Sequence, residues 1–294
     1  MQGRRPSTTG LVLLLLLVLL HVLLPLAYGE EGRPIAPPPT RATVPVEAGE
    51  RIRSDDREIA GLDTLVVRPV RSGPWPLVVF VHGAGAPPEL YRPFLEPIAA
   101  AGHVVVAPAM PGSYDHADFS ALLSLPFQPG RVRQLVTAVT TGPDAIGAAD
   151  ADEIVLMGHS LGAMTALATA FNTCCDDGRF DGVVALAGRM AEYPGGTFRT
   201  GAAPLLLVHG DADEVVPYGS SLESLLTLGT SAYLLTVEGG NHSGYLDPGS
   251  DSFPAVMDAT LAFLTATLGD DPRGGLADLT TAGGEPGVRL TERD

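Results

Sequence analysis

Seven short, nearly continuous apolar runs recur along the 294-residue chain: "TLVVRPV" (64–70), "PLVVFVHG" (76–83), "HVVVAPA" (103–109), "EIVLMGHS" (153–160), "GVVALAG" (182–188), "PLLLVHG" (204–210) and "AYLLTVEGG" (232–240). Runs without polar alternation suit strands buried on both faces, which is the habit of parallel sheets. Between them lie stretches long enough for helices, among them "ELYRPFLEPIAAAG", "GRVRQLVTAVTTG", "LGAMTALATAF", "YGSSLESLLTLG" and "FPAVMDATLAFLTATLG". Parallel strands need long crossovers, and the alternation of strand and helix material predicts a mostly parallel sheet covered by helices. In such sheets ligands bind beyond the carboxyl ends of the strands. Four of the runs end in, or just before, residues capable of chemistry: His82, Ser160, Asp213 and His242.

The two ends read differently. Arg4 and Arg5 precede the apolar run "LVLLLLLVLLHVLLPLA", which is followed by the small-x-small pattern Ala27, Tyr28, Gly29, so residues 1–29 are expected to be a secretory signal peptide. The alternative is an uncleaved membrane anchor, and only in that case is a membrane a partner. Residues 30–50, "EEGRPIAPPPTRATVPVEAGE", read as a proline-rich linker, residues 51–268 as one catalytic domain, and the Gly-, Pro- and charge-rich residues 269–294 as a disordered tail. The formal charge is −16, and loss of the signal with its two arginines makes it −18. No basic surface is available to neutralise phosphates, which argues against nucleic acid as a partner. The two cysteines, Cys174 and Cys175, are adjacent; a local ring, an interchain pair and free thiols all remain open. Nothing in "FNTCCDDG" would activate a thiol.

The stretch "EIVLMGHSLGAMTALATA" holds a G-x-S-x-G pattern, a weak signal by itself in a chain with 35 glycines. Its setting strengthens it. "IVLM" supplies a strand, Gly158 and Gly162 flank a sharp turn without side chains to clash, and small residues begin the following helix, as a strained strand-to-helix nucleophile turn requires. A serine hydroxyl needs a base and an acid to orient that base. His82 and His209 sit in "VHG" at strand ends and His103 opens a strand, so all three read as structural; His159 is locked beside the serine, and His116 lies in a separate loop. His242, in the glycine-rich "GGNHSGY" after the last run, is the expected base. In "VHGDADEVVPY" Asp213 is the expected acid and Asp211 the alternative, with turn capping the plain role for either. The oxyanion requires two backbone N–H donors, assigned to Leu161, next after the serine, and Ala84, in "HGAGAPP". This chemistry requires no metal or organic cofactor.

Together "FVHGAG", "ADADEIVLMGHSLGA", "LLLVHGDADEVVP" and "GGNHSGY", spread over about residues 60–268, resemble the α/β-hydrolase superfamily. The resemblance implies an α/β-hydrolase fold, with about eight mostly parallel strands and helices on both faces, and a triad of Ser160, Asp213 and His242. Within the superfamily the chain looks similar to compact secreted esterases: bacterial cutinases and polyester hydrolases, chlorophyllase-like proteins and dienelactone-hydrolase-like proteins. It carries serine where dienelactone hydrolase has cysteine, so lactone chemistry is not implied. His159 stands where many polyester hydrolases have an aromatic residue. Only "RMAEYPGGTFRTGAA" separates "VVALAG" from "PLLLVHG", too short for a helical lid domain. The expected protein is thus a secreted, monomeric carboxylic-ester hydrolase acting on short-chain or polymer-surface esters, through an open cleft that Tyr91, Phe94, Tyr114, Tyr218 and Tyr245 are placed to line or to pack beneath. Longer-chain lipase activity, amide hydrolysis and a non-catalytic binding role are the alternatives.

Overall fold

The computed structural model describes residues 50–114, 119–228, 231–269 and 271–293. The signal, the linker up to residue 49 and His116 lie outside the described residues. Among the described residues nine strands form one sheet: β1 (Ile52–Ile59), β2 (Leu62–Pro69), β3 (Trp75–Val81), β4 (Val104–Pro108), β5 (Ala149–His159), β6 (Gly182–Leu186), β7 (Leu205–Gly210), β8 (Ala232–Val237) and β9 (Val288–Arg293). Their order is β1-β2-β4-β3-β5-β6-β7-β8-β9. From β4 through β8 every neighbouring pair is parallel, whereas β1, β2 and β9 join antiparallel. The architecture is the expected α/β-hydrolase type.

Helices cover both faces, as alternation along each buried strand demands. Val78, Phe80, Val155, Met157, Leu206 and Val208 point to one side, where they meet α1 (Arg92–Ala100) and α6 (Phe253–Leu268). Val79, Val81, Ile154, Leu156, Leu205 and Leu207 point to the other, against α3 (Gln128–Thr140), α4 (Leu161–Phe171) and α5 (Gly219–Thr227). A short α2 (Phe119–Ser124) precedes α3. The residues that end β3, β5, β7 and β8 therefore meet along one edge of the sheet.

The disordered tail expected over 269–294 is not observed: residues there form α7 (Pro272–Ala282) and β9. The Asp271 carboxylate accepts the Gly274 N–H at 2.9 Å, and Pro272 opens the helix, a combination that caps a helix start rather than breaking one. Gly275 lets α7 lie against α6, since a Cβ there would stand 2.4 Å from the Ala266 nitrogen. Gly287 (φ +81°) turns the chain into β9, which pairs with β8 from Val288 to Arg293. Each glycine and proline that suggested looseness thus serves a turn, a cap or a close contact. At the opposite edge the charged β1, "IRSDDREI", turns into β2 through Ala60 (φ 52°) and Gly61 (φ 74°), and its charges shield that edge from further pairing.

Candidate active site

β5 ends at His159, and the next residue, Ser160, has φ 54° and ψ −118° before α4 begins at Leu161. Positive φ in a side-chain-bearing residue is strained and marks a turn held by its surroundings. Two features hold it. Ser160 N–H donates to the Leu186 carbonyl at 2.8 Å, tying the turn to the end of β6. A Cβ on Gly158 would lie 2.3 Å from the Gly162 carbonyl oxygen, and one on Gly162 would lie 1.9 Å from the Val81 carbonyl oxygen. Both motif glycines are therefore required by backbone contact, and the serine side chain is lifted to the sheet edge.

His242 follows β8 in the loop that begins at Glu238, and its Nε2 lies 2.9 Å from Ser160 Oγ. Its Nδ1 lies 2.8 Å from Asp213 Oδ2. Because a carboxylate only accepts, Nδ1 carries the proton and Nε2 is the lone pair facing the serine hydroxyl. The imidazole is 19% exposed and the Asp213 side chain is not exposed at all, so one end of the chain meets solvent and the other is sealed. Asp213 Oδ1 accepts the N–H groups of Val215 (2.7 Å) and Val216 (2.9 Å). Burial would raise the Asp213 carboxyl, but the donors His209, His242 and Val216 N–H, with the His242 charge, outweigh it and hold the carboxyl far below the usual carboxylate range. Asp211 instead ties this loop to the turn after β8: its Oδ1 accepts the Gly239 N–H at 2.7 Å.

Leu161 follows Ser160 directly, and Ala84 follows Gly83, whose position lies against the serine. A Cβ on Gly83 would lie 3.3 Å from the Ser160 Cβ, so the loop after β3 passes directly over the serine. The amides of its neighbours are committed, Gly83 N–H to the Tyr91 hydroxyl (3.0 Å) and Gly85 N–H to the Ser113 carbonyl (2.7 Å). The N–H groups of Ala84 and Leu161 have no acceptor among the described residues. Two free amides beside a hydroxyl can receive a negative oxygen.

Two histidines set aside as candidate bases, His209 as structural and His159 as locked beside the serine, touch this site directly. His209 is fully buried; its Nε2 donates to Asp213 Oδ2 (3.1 Å) and to the Val216 carbonyl (2.9 Å), and its Nδ1 accepts from the Ser221 hydroxyl at 2.6 Å. Asp213 Oδ2 is thus shared by two imidazoles. His159, also buried, lies between Tyr91 and the backbone of His242. His82 has a loop-shaping role, with its Nε2 accepting the Met110 N–H at 2.9 Å and its Nδ1 donating to the Gly83 carbonyl at 2.7 Å. Sequence gave one hint of the His209 contact, its spacing of four residues from Asp213 across a tight turn. Of the aromatic residues placed near the cleft, Tyr91, Phe94 and Tyr245 are buried in the core, because α1 and the loop after β8 pack them against β3 and α6; Tyr114 is exposed and Tyr218 half-buried. Cys174 and Cys175 form a disulfide with each other. Among the described residues no group of three or more His, Cys, Asp or Glu side chains is arranged to hold a metal ion.

A family model described as Chlorophyllase matches residues 43–188, and one described as Alpha/beta hydrolase family matches residues 136–252. The first takes in Ala84, Ser160 and Leu161, and the second Ser160, Asp213 and His242. The chain is 28% identical over 114 residues to Chlorophyllase type 0 of Chenopodium album, an alignment covering 36% of this chain and 31% of that relative. It therefore spans about a third of the length of the curated relative it matches.

Proposed function

The chain is a member of the α/β-hydrolase superfamily, chlorophyllase-like in sequence, and from that premise we propose that it is a serine hydrolase of carboxylic esters. The hydrogen-bonded succession Ser160 Oγ, His242, Asp213, at 2.9 and 2.8 Å, carries this reading. As Ser160 Oγ attacks the ester carbonyl, its proton passes to His242 Nε2, and Asp213 holds the imidazole in the required tautomer and balances the imidazolium. The carbonyl oxygen becomes an anion, which the Leu161 and Ala84 amides stabilise. Collapse of the tetrahedral intermediate breaks the ester C–O bond, and His242 returns the proton to the leaving alcohol. Water, deprotonated by the same imidazole, then releases the acid and restores Ser160.

An accessible ester suits the site. The connection from Leu186 to Leu205 contains no helix, so no lid domain covers the cleft from that side. Short-chain and polymer-surface esters fit such a cleft better than long acyl chains that need a covered tunnel, and the chlorophyllase name of the relative makes chlorophyll a substrate to include. Secretion remains part of the proposal through residues 1–29; among the described residues no helix is long and apolar enough to cross a membrane. The test is hydrolysis of p-nitrophenyl esters from acetate to palmitate, of chlorophyll and of an amorphous polyester film. Turnover should fall with acyl length, and Ser160→Ala should remove about a thousandfold or more of it. Wild-type turnover in Ser160→Ala would overturn the assignment.

A further inference from the structure

The residue before the nucleophile has both ring nitrogens engaged. His159 Nε2 lies 3.0 Å from the His242 carbonyl, and His159 Nδ1 lies 2.8 Å from the Tyr91 hydroxyl, which in turn is 3.0 Å from the Gly83 nitrogen. The polarity of each link is fixed. A carbonyl only accepts, so Nε2 bears the ring proton; an amide N–H only donates, so the Tyr91 oxygen accepts from Gly83 and its own proton goes to His159 Nδ1. The chain of donors therefore runs one way: Gly83 N–H to Tyr91, Tyr91 O–H to His159, His159 N–H to the carbonyl of His242. It closes only on a neutral imidazole. Burial, reinforced by the His242 charge, pushes His159 down to about 3, and burial raises the Tyr91 hydroxyl to about 12, so both groups keep these protonation states throughout the neutral range.

Resting on the esterase reading, we infer that His159 is a positioning residue, holding the His242 backbone and, through Tyr91, the Gly83–Ala84 turn in register with Ser160. Both segments it joins are loops. His242 lies in a stretch with neither helix nor strand, and Gly83 and Ala84 follow the end of β3. Tyr91, in contrast, is anchored: it is buried and its ring lies 4.7 Å from that of Phe80 on β3. His159 is itself the last residue of β5, with its ring 4.9 Å from that of His242. The loops carrying the base and one oxyanion donor are thus pinned to β5, which carries the nucleophile, and to its neighbour β3. Gly83 is what allows the approach, since a Cβ there would stand 3.0 Å from His159 Nδ1 and 3.1 Å from the Tyr91 oxygen.

The experiment compares the full chain with His159→Phe, His159→Gln, Tyr91→Phe, the His159→Phe/Tyr91→Phe double variant and Ser160→Ala, using p-nitrophenyl butyrate. Rates are expressed per active site titrated with a fluorophosphonate, so that a smaller folded fraction does not register as lower kcat. His159→Phe fills the space but makes neither hydrogen bond, and misplacement on the order of 1 Å costs about 100-fold in rate, so kcat should fall by about 10- to 100-fold. His159→Gln keeps an N–H for the His242 carbonyl and an oxygen for Tyr91 and should recover most of that loss. Tyr91→Phe should lower kcat by about 10-fold, and the double variant should be no slower than His159→Phe, because residues in one network are not additive. Wild-type kcat in His159→Phe, no recovery by Gln, or fully additive losses would overturn the inference. If His159→Phe does not fold, a wild-type rate in Tyr91→Phe overturns it equally. An active Ser160→Ala would instead remove the esterase reading on which it rests.

Discussion

Replacing Gly162 with alanine tests whether the serine turn is built as described. A methyl at this position meets the Val81 carbonyl oxygen at 1.9 Å and the His82 carbonyl oxygen at 2.7 Å. These are backbone atoms at and just past the end of β3, where Val81 pairs with Gly158 of β5, so they cannot yield alone. The first turn of α4 must move off the sheet instead, and Ser160 moves with it. Overpacking costs about 1–3 kcal/mol, and a backbone-limited clash belongs at the upper end. The better helix propensity of alanine returns about 1 kcal/mol. The net loss is about 2 kcal/mol, equivalent to a drop in Tm of about 4–8 °C for a domain of this size. A shift of the serine on the order of 1 Å adds about a 100-fold loss of ester turnover. Gly130, in α3, is the internal control: a Cβ there meets nothing within 4 Å. Gly130→Ala should gain about 0.5–1 kcal/mol and raise Tm by about 1–4 °C without touching activity. Calorimetry and p-nitrophenyl butyrate hydrolysis read both variants. If Gly162→Ala melts at or above wild type and keeps its turnover while Gly130→Ala behaves as stated, the close packing of α4 on β3 is refuted.

Two further outcomes follow from the site and the sheet edge. A carboxyl depressed in the folded state contributes stability that is fully present above its unfolded value near 3.8 and is lost as pH falls toward the folded one; urea unfolding should therefore show the stability gap between wild type and Asp213→Asn narrowing as pH drops from about 5 to about 3, and a gap constant with pH would contradict the ionised, four-donor environment of Asp213. Deleting residues 271–293 uncovers the β8 edge and the buried Leu279, Ala282 and Val288, so the shortened chain should melt lower and self-associate in size-exclusion chromatography, whereas a monomer of unchanged Tm would restore the view of this segment as a passive tail.

The seven apolar runs correspond to β2 through β8, because strands buried on both faces leave no polar residue to hide the pattern. The two strands that apolar content did not reveal are β1 and β9, the sheet's outer edges, where charge is favoured. Helix α7 was concealed for a related reason: its glycines, proline and aspartate resemble linker composition, the Asp271 cap on Gly274 is a local signal easily read as a turn, and only tertiary contact shows that Gly275 abuts α6. At the site, residue type and chain order identified Ser160, Asp213 and His242 as candidates, and the structure brings the three into one hydrogen-bonded line. The link from Tyr91 through His159 to His242 joins residues 68 and 83 positions apart, so no local pattern announces it, whereas the second imidazole on Asp213 left only the four-residue spacing of His209 as a trace.

The most direct measurement of the central claim is peptide mapping by mass spectrometry after treatment with a fluorophosphonate, alongside residual ester hydrolysis, in wild type and His242→Ala. The account predicts a single adduct on Ser160, activity lost in proportion to its formation, and labelling slower by orders of magnitude without the imidazole. Ester turnover that persists with Ser160 fully modified, or an adduct on another residue that tracks the loss of activity, would contradict it.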